Sequence, residues 1–253
     1  MPDTRSARDT VPAIDLRSVC LMRAGRKILD DVSFQVACGS VCGLLGANGA
    51  GKTSVLRVAT GLIGPHAGEV RVARHPVAAG RMPAQVGALI EEPRFYPWLS
   101  ARENLLVAAA GRRERVVRID DLLAEVGLWE RKADKVRAYS QGMRQRLGIA
   151  RVLLGSPEVL LLDEPTNGLD PAGYRWLRGL VARLNANGVT ILLASHALGE
   201  VQRLCSEVVV LAEGKVVACG TTAEVLSGHA TLEDYFFALT DEEDNGVHPT
   251  ARL

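Results

Sequence analysis

Eight consecutive residues, Gly46-Ala47-Asn48-Gly49-Ala50-Gly51-Lys52-Thr53, fit the pattern GxxxxGK[ST] between an apolar run, VCGLL, and a helix-forming stretch, SVLRVATGL. Strand, glycine-rich loop and helix in that order are what a phosphate-wrapping loop requires. Gly46, Gly49 and Gly51 let the backbone curl, so that N–H groups from Asn48 and Ala50 through Ser54 converge on an anion, and the helix N-terminus adds its dipole. Lys52 is then placed to reach the β- and γ-phosphates of a nucleotide, and Thr53 to ligate magnesium.

The other apolar runs predict an α/β protein around this loop. Residues 41–45, 86–90, 159–162 and 189–194 are almost uninterrupted apolar stretches, as parallel strands covered on both faces by helices are. Polar residues follow each run at its C-terminal end, where open α/β sheets place ligands. Val32, Phe34, Val36 and Cys38 instead alternate with polar or small residues, the period of a half-buried antiparallel strand, with Ile14 and Leu16 marking its neighbour. Between the second and third runs, Ser100 and Glu103 form a capping-box pattern opening a helix over 101–110. A second helix over 119–126 stops at Gly127, and a third, from about Gly142 to Leu154, is closed by Gly155, Ser156 and Pro157. These helices predict a subdomain over about 98–156. The polar segments 1–11 and 241–253 lack periodicity and read as mobile tails, leaving 12–240 as the folded domain.

Composition narrows the function. With 253 residues, 47% of them hydrophobic, the chain can bury the core of one large domain. Its 30 basic and 29 acidic residues nearly cancel, which gives no support to nucleic acid as a partner. The five cysteines form no CxxC pair and read as reduced, small core residues of a cytosolic protein. No run approaches the roughly 20 apolar residues of a membrane span, so a role at a membrane needs another chain to cross it.

The run VLLLDE ends in Asp163 and Glu164, about one hundred residues after the phosphate loop. Alone it is an ordinary strand end; beside a phosphate loop, Asp163 can hold the magnesium shell while Glu164 polarises an attacking water as general base. Tyr139-Ser140-Gln141-Gly142-Met143 opens the helix before that strand. Ser140 and the Gly142 amide could face an anion there, or Ser140 could be a plain N-cap beside a flexible glycine.

These three motifs, in this order and spacing, resemble the nucleotide-binding subunits of ABC transporters over roughly Ile14 to Thr240. YSQGM corresponds to that family's signature LSGGQ, VLLLDE to its Walker B strand, and Asn167-Gly168-Leu169-Asp170 to the loop between two nucleotide sites. Ser195-His196 corresponds to the switch histidine that contacts the γ-phosphate. The resemblance implies a RecA-like P-loop core with an antiparallel β subdomain and a helical subdomain. It implies ATP and Mg2+ as cofactors, ATP hydrolysis, and a head-to-tail dimer with a second copy or a paralogue. ATP would lie between one subunit's phosphate loop and Ser140 and Gly142 of the other. A separately encoded transmembrane permease would be the further partner, holding the chain on the cytoplasmic face of the membrane and receiving motion through residues 91–96.

Two positions depart from the family pattern. Arg23 aligns where an aromatic usually stacks on adenine, and a guanidinium can take that place. Glu91 stands where the family carries Gln, a residue with metal-binding and catalytic roles. Together with the context PRFYPWL and Glu103-Asn104-Leu105, it resembles the bacitracin-resistance and lantibiotic-immunity exporter branch. A soluble ABC protein acting on a ribosome or an assembly pathway is the alternative within the family. A P-loop kinase leaves YSQGM and the switch histidine without a task. Phe95, Tyr96 and Trp98 could form an apolar docking surface or simply pack into the core.

Overall fold

The first alternating runs fold as a hairpin: β1 (Ile14–Arg23) and β2 (Arg26–Val36) pair antiparallel, with Leu16 opposite Phe34 and Val19 opposite Val32. This architecture comes from a computed structural model, which describes residues 11–109, 111–226 and 228–244. The chain then passes through β3 (Val41–Leu45) into α1 (Lys52–Ala59). It returns through β4 (Ala67–Val72) and the short β5 (His75–Pro76), which complete an antiparallel sheet of order β2-β1-β4-β5. β6 (Val86–Leu89) enters the second sheet and leads to a helical region of α2 (Ala101–Ala109), α3 (Arg113–Val116), α4 (Ile119–Glu125) and α5 (Gln141–Leu153). Then come β7 (Val159–Asp163), α6 (Pro171–Ala186), β8 (Thr190–Ser195), α7 (Leu198–Leu204), β9 (Glu207–Ala212) and β10 (Lys215–Thr221). The short α8 (Thr222–Val225) precedes α9 (Leu232–Asp244), so helical backbone continues past Thr240. The segments 1–10 and 245–253, read from sequence as tails, lie outside the described residues.

The second sheet has the order β10-β9-β3-β8-β7-β6, parallel throughout except for β10. Its strands are apolar on both faces because each face has its own core. Leu160, Leu162, Ile191, Leu193, Val208 and Val210 point to the side covered by the long helices. Val159, Leu161, Leu192, Ala194, Val209 and Leu211 point to the side filled by α1 and the antiparallel sheet. The two-residue period of a strand thus builds two cores from one sheet. Gly43, in central β3, is where α7 presses closest: a Cβ there would stand 2.3 Å from Val201 Cγ1.

The predicted capping box is present in both halves: Ser100 N donates to Glu103 Oε2 at 2.6 Å and Glu103 N to Ser100 Oγ at 3.2 Å. Gly127 ends the second helix with φ 70°. Pro93 is buried against α5, where a Cβ on Gly148 would come within 2.9 Å of it. Arg151 donates to the Arg94 carbonyl at 2.8 Å, and Tyr96 and Asn104 exchange hydrogen bonds of 2.9 and 3.1 Å. The loop after β6 is therefore seated on the helical region.

Two expectations are corrected. Only Cys42 and Cys205 are buried; Cys20 is half-buried, Cys38 lies beyond the end of β2, and Cys219 sits on the edge strand β10, where one side is open. The alternation through Cys38 accordingly ends at Val36 as a buried pattern. Phe95 packs against the core, whereas Tyr96 and Trp98 are exposed, their rings 5.8 Å apart.

Candidate functional site

The phosphate loop leaves the centre of the parallel sheet, because Leu45 at the end of β3 pairs with both Ser195 of β8 and Val210 of β9. Gly51 takes φ 109°, and a Cβ on it would meet Leu29 Cδ2 at 2.9 Å and the Ile28 carbonyl at 3.2 Å. The loop is pressed against β2 in a conformation that only glycine takes without strain. No side chain caps α1, which leaves its first N–H donors to the cleft. Lys52 folds back over the loop, donating to the carbonyls of Gly46 at 2.6 Å and Ala47 at 3.1 Å. Burial pushes its pKa below the usual lysine value, with Glu164 and Asp163 pulling the other way.

The Thr53 hydroxyl donates to Asp163 Oδ2 at 2.8 Å, joining the start of α1 to the end of β7. Burial raises the Asp163 pKa above its ordinary 3.8; the Thr53 hydrogen bond opposes this and the Glu164 charge adds to it. Glu164 turns the other way through a left-handed backbone, φ 44°, with its N–H on the Ala194 carbonyl at 2.9 Å. Its Oε1 lies 2.8 Å from His196 Nδ1, and its Oε2 accepts from the Ser195 hydroxyl at 3.4 Å. Glu91, just past the adjacent strand β6, is also left-handed at φ 64°, and its carboxylate is paired with Arg57 of α1. Non-glycine residues in that region cost of order 1–3 kcal/mol each and gather at functional sites. Two such carboxylates stand here at neighbouring strand ends.

Of these groups, Lys52, Thr53, Arg57, Glu91, Asp163 and Glu164 border one cleft of about 590 Å³, whereas Ser195 and His196 touch Glu164 without lining it. Arg23 lies with the apolar Leu21 and Ile28 in its wall; Asn48, Gly49, Gly51, Lys52, Thr53 and Ser54 form its floor; Glu91, Asp163 and Glu164 line it as well. Gly46 and Ala50 shape the loop from behind, the first through its carbonyl and the second as a buried side chain. Ser140 and Gly142 are not brought to this cleft: Ser140 is an exposed N-cap accepting from Met143 N at 3.2 Å. Gln141 between them does line it. Asn167, singled out from the loop likened to one between two nucleotide sites, lines it as well, while sequence reasoning missed Arg57 and Gln145. Only Arg57 carried a signal, as a cation five residues beyond Lys52 on the same short helix.

The donor set fits a magnesium nucleotide. Thr53 and Asp163 offer hard oxygens 2.8 Å apart, and Mg2+ is usually held by one or two carboxylates with substrate phosphates completing its shell. Among the described residues no cluster of three or more His, Cys, Asp or Glu makes a metal cage of its own. A cation arriving with the nucleotide would relieve the desolvation that raises the Asp163 pKa.

Comparison with known proteins agrees with this reading. The sequence profile of the ABC transporter family matches residues 29–167. The bacitracin transport ATP-binding protein BcrA of Bacillus licheniformis is 40% identical over 201 residues, covering 78% of this chain and 65% of that one. The lantibiotic transport ATP-binding protein SrtF of Streptococcus pyogenes is 37% identical over 211 residues, covering 83% and 90%. A solved ATP-binding subunit of an ABC transporter superposes with a TM-score of 0.82 at 30% identity, covering 90% of this chain and 99% of that one. Among the described residues no helix is long and apolar enough to cross a membrane. This chain belongs to the ABC transporter family and is an ATP-binding subunit with a RecA-like P-loop fold.

Proposed function

We propose that the chain hydrolyses ATP to ADP and phosphate and that this drives export, of an antibiotic or peptide, through a separate membrane subunit. The observation that carries the hydrolysis is the divergence of Asp163 and Glu164: one carboxylate sits on Thr53, its neighbour on His196 and Ser195. Mg2+ held by Thr53 and Asp163 would neutralise charge on the β- and γ-phosphates. Lys52 and the α1 N–H groups bind the same oxygens and hold the γ-phosphate in line for attack. Glu164 accepts a proton from the attacking water, and His196 orients that carboxylate through Nδ1–H. Glu91 would offer that metal a further carboxylate oxygen from the loop after β6, which is seated on α2 and α5.

Ser140 and Gly142, which do not line their own cleft, serve the phosphate bound by a second copy or a paralogue, giving a head-to-tail dimer. Tyr96 and Trp98, exposed on the same loop, offer the membrane subunit an aromatic contact on the cytoplasmic face. The bacitracin and lantibiotic relatives support the class of cargo. Phosphate release by the purified chain, with and without Mg2+, tests the chemistry; absence of release alone and in membranes containing its partner would overturn it. Recovery of the chain from membranes together with a multi-span protein tests the partnership.

Two substitutions probe the ends of the cleft. Arg23→Ala should weaken ATP by about 1 kcal/mol through lost stacking on the base, and Arg23→Tyr should restore it; equal affinities in a nucleotide titration would remove Arg23 from the base site. Asp163→Asn should abolish the Mg2+ dependence of binding yet raise the melting temperature of the nucleotide-free protein at neutral pH. A carboxyl whose folded pKa is raised stabilises the fold below its unfolded pKa, and that contribution is lost as pH rises through the folded value. The gain from Asn should thus vanish below about pH 4, and a gain independent of pH would reject the account.

A further inference from the structure

The phosphate-loop chemistry above has no task for Arg57, yet Arg57 stands inside the cleft. It projects from α1 five residues after Lys52, is three-quarters buried, and pairs with Glu91 Oε1. Glu91 opens a loop that is fixed elsewhere by Pro93 on Gly148, by Arg151 on the Arg94 carbonyl and by Asn104 on Tyr96. The ion pair therefore ties the helix of the phosphate loop to a segment seated on α2 and α5.

The charge lining the cleft gives this tie a purpose. Four carboxylates, Glu91, Glu92, Asp163 and Glu164, face three cations, Arg23, Lys52 and Arg57. A triphosphate adds several more negative charges. A carboxylate at position 91 repels them and, when ionised, donates no hydrogen bond. Paired with Arg57, it becomes part of a nearly neutral unit whose guanidinium fork still carries free donors.

We propose that Arg57 is a positioning residue for Glu91: it neutralises and holds that carboxylate so that the cleft accepts the nucleotide's phosphates despite the added acid. The proposal rests on the nucleotide reading of the cleft. Two consequences separate it from a simple arginine–phosphate contact. Loss of Arg57 harms nucleotide binding chiefly while residue 91 is charged, and the harm is greater without metal, when nothing else offsets the carboxylate.

The test is titration of a fluorescent ATP analogue, in Mg2+ and in excess chelator, against Arg57→Met placed in the unaltered chain and in the Glu91→Gln chain. Arg57→Met should weaken binding about tenfold beside Glu91 and less than about threefold in the Glu91→Gln background, with the larger factor in chelator, as coupled residues behave in a double-mutant cycle. An equal loss in both backgrounds would make Arg57 a direct phosphate contact and overturn the proposal, as would no loss in either. Arg57→Lys keeps the charge without the planar fork and covers the case in which the Met variant fails to fold. It should stay within about threefold of the unaltered chain, and a tenfold loss would overturn the neutralising role. If the unaltered chain binds no nucleotide, the reading of the cleft itself has failed, a result distinct from any of these.

Discussion

Glu164→Gln is expected to bind MgATP and to release phosphate roughly 10²–10⁴-fold more slowly than the unaltered chain, the range typical for loss of a positioned general base. The amide keeps the volume: its single oxygen can still accept from His196 Nδ1–H, where Oε1 now lies at 2.8 Å, while its NH2 can donate to the Ser195 hydroxyl, where Oε2 now accepts at 3.4 Å. What it loses is the capacity to take a proton. The left-handed backbone at φ 44° follows from the turn that continues the β7–β8 register through Ala194, so the substitution should leave the fold intact. With hydrolysis blocked and binding retained, a species of twice the mass should accumulate on size exclusion in MgATP and disperse on removal of the nucleotide. Single-turnover phosphate release is the deciding measurement. Turnover within a few-fold of the unaltered chain would take Glu164 out of the base role, and the pairing with His196 would then have to be explained as structural.

The part of this site legible in the sequence is the part fixed by local order. Strand, glycine loop and helix follow one another along 41–59, so Lys52 and Thr53 fall at the sheet's C-terminal edge by geometry alone. Asp163 could be placed because parallel strands end at the same edge; its hydrogen bond to Thr53 spans 110 residues but needs only that shared topology. Arg57 with Glu91 is a different case. Which cation meets an acid 34 residues away depends on how the helical region seats the loop after β6, and no periodicity carries that information. The run EVVVLA, which became β9 beside β3, escaped notice because nothing chemical follows it. The exposure of Cys38 and Cys219 was missed for a related reason: composition gives a residue's preference for burial, but not whether its strand has ended or lies at a sheet edge.

Lys52→Met should lower the affinity for MgATP by roughly a hundredfold, the loss of charge-assisted hydrogen bonds worth about 3 kcal/mol together. The methionine keeps most of the aliphatic stem, so packing under the loop changes little. The nucleotide-free protein should be at least as stable as before. Lys52 is only 7% exposed, and burial holds its pKa below the usual 10.5, so the folded chain carries a penalty for keeping a desolvated ammonium charged. For a lysine lowered in this way the unfolded chain binds protons more readily, and stability rises with pH between the folded value and 10.5. Methionine should remove that rise. Two melting series decide the matter: one against pH without nucleotide, the other against MgATP at neutral pH. In the second, stabilisation follows the ratio of ligand to dissociation constant, so the variant should need about a hundred times more nucleotide for the same shift. A variant that melts well below the unaltered chain while responding to MgATP at the same concentrations would mean that Lys52 serves the loop, through the carbonyls of Gly46 and Ala47, and not the phosphates.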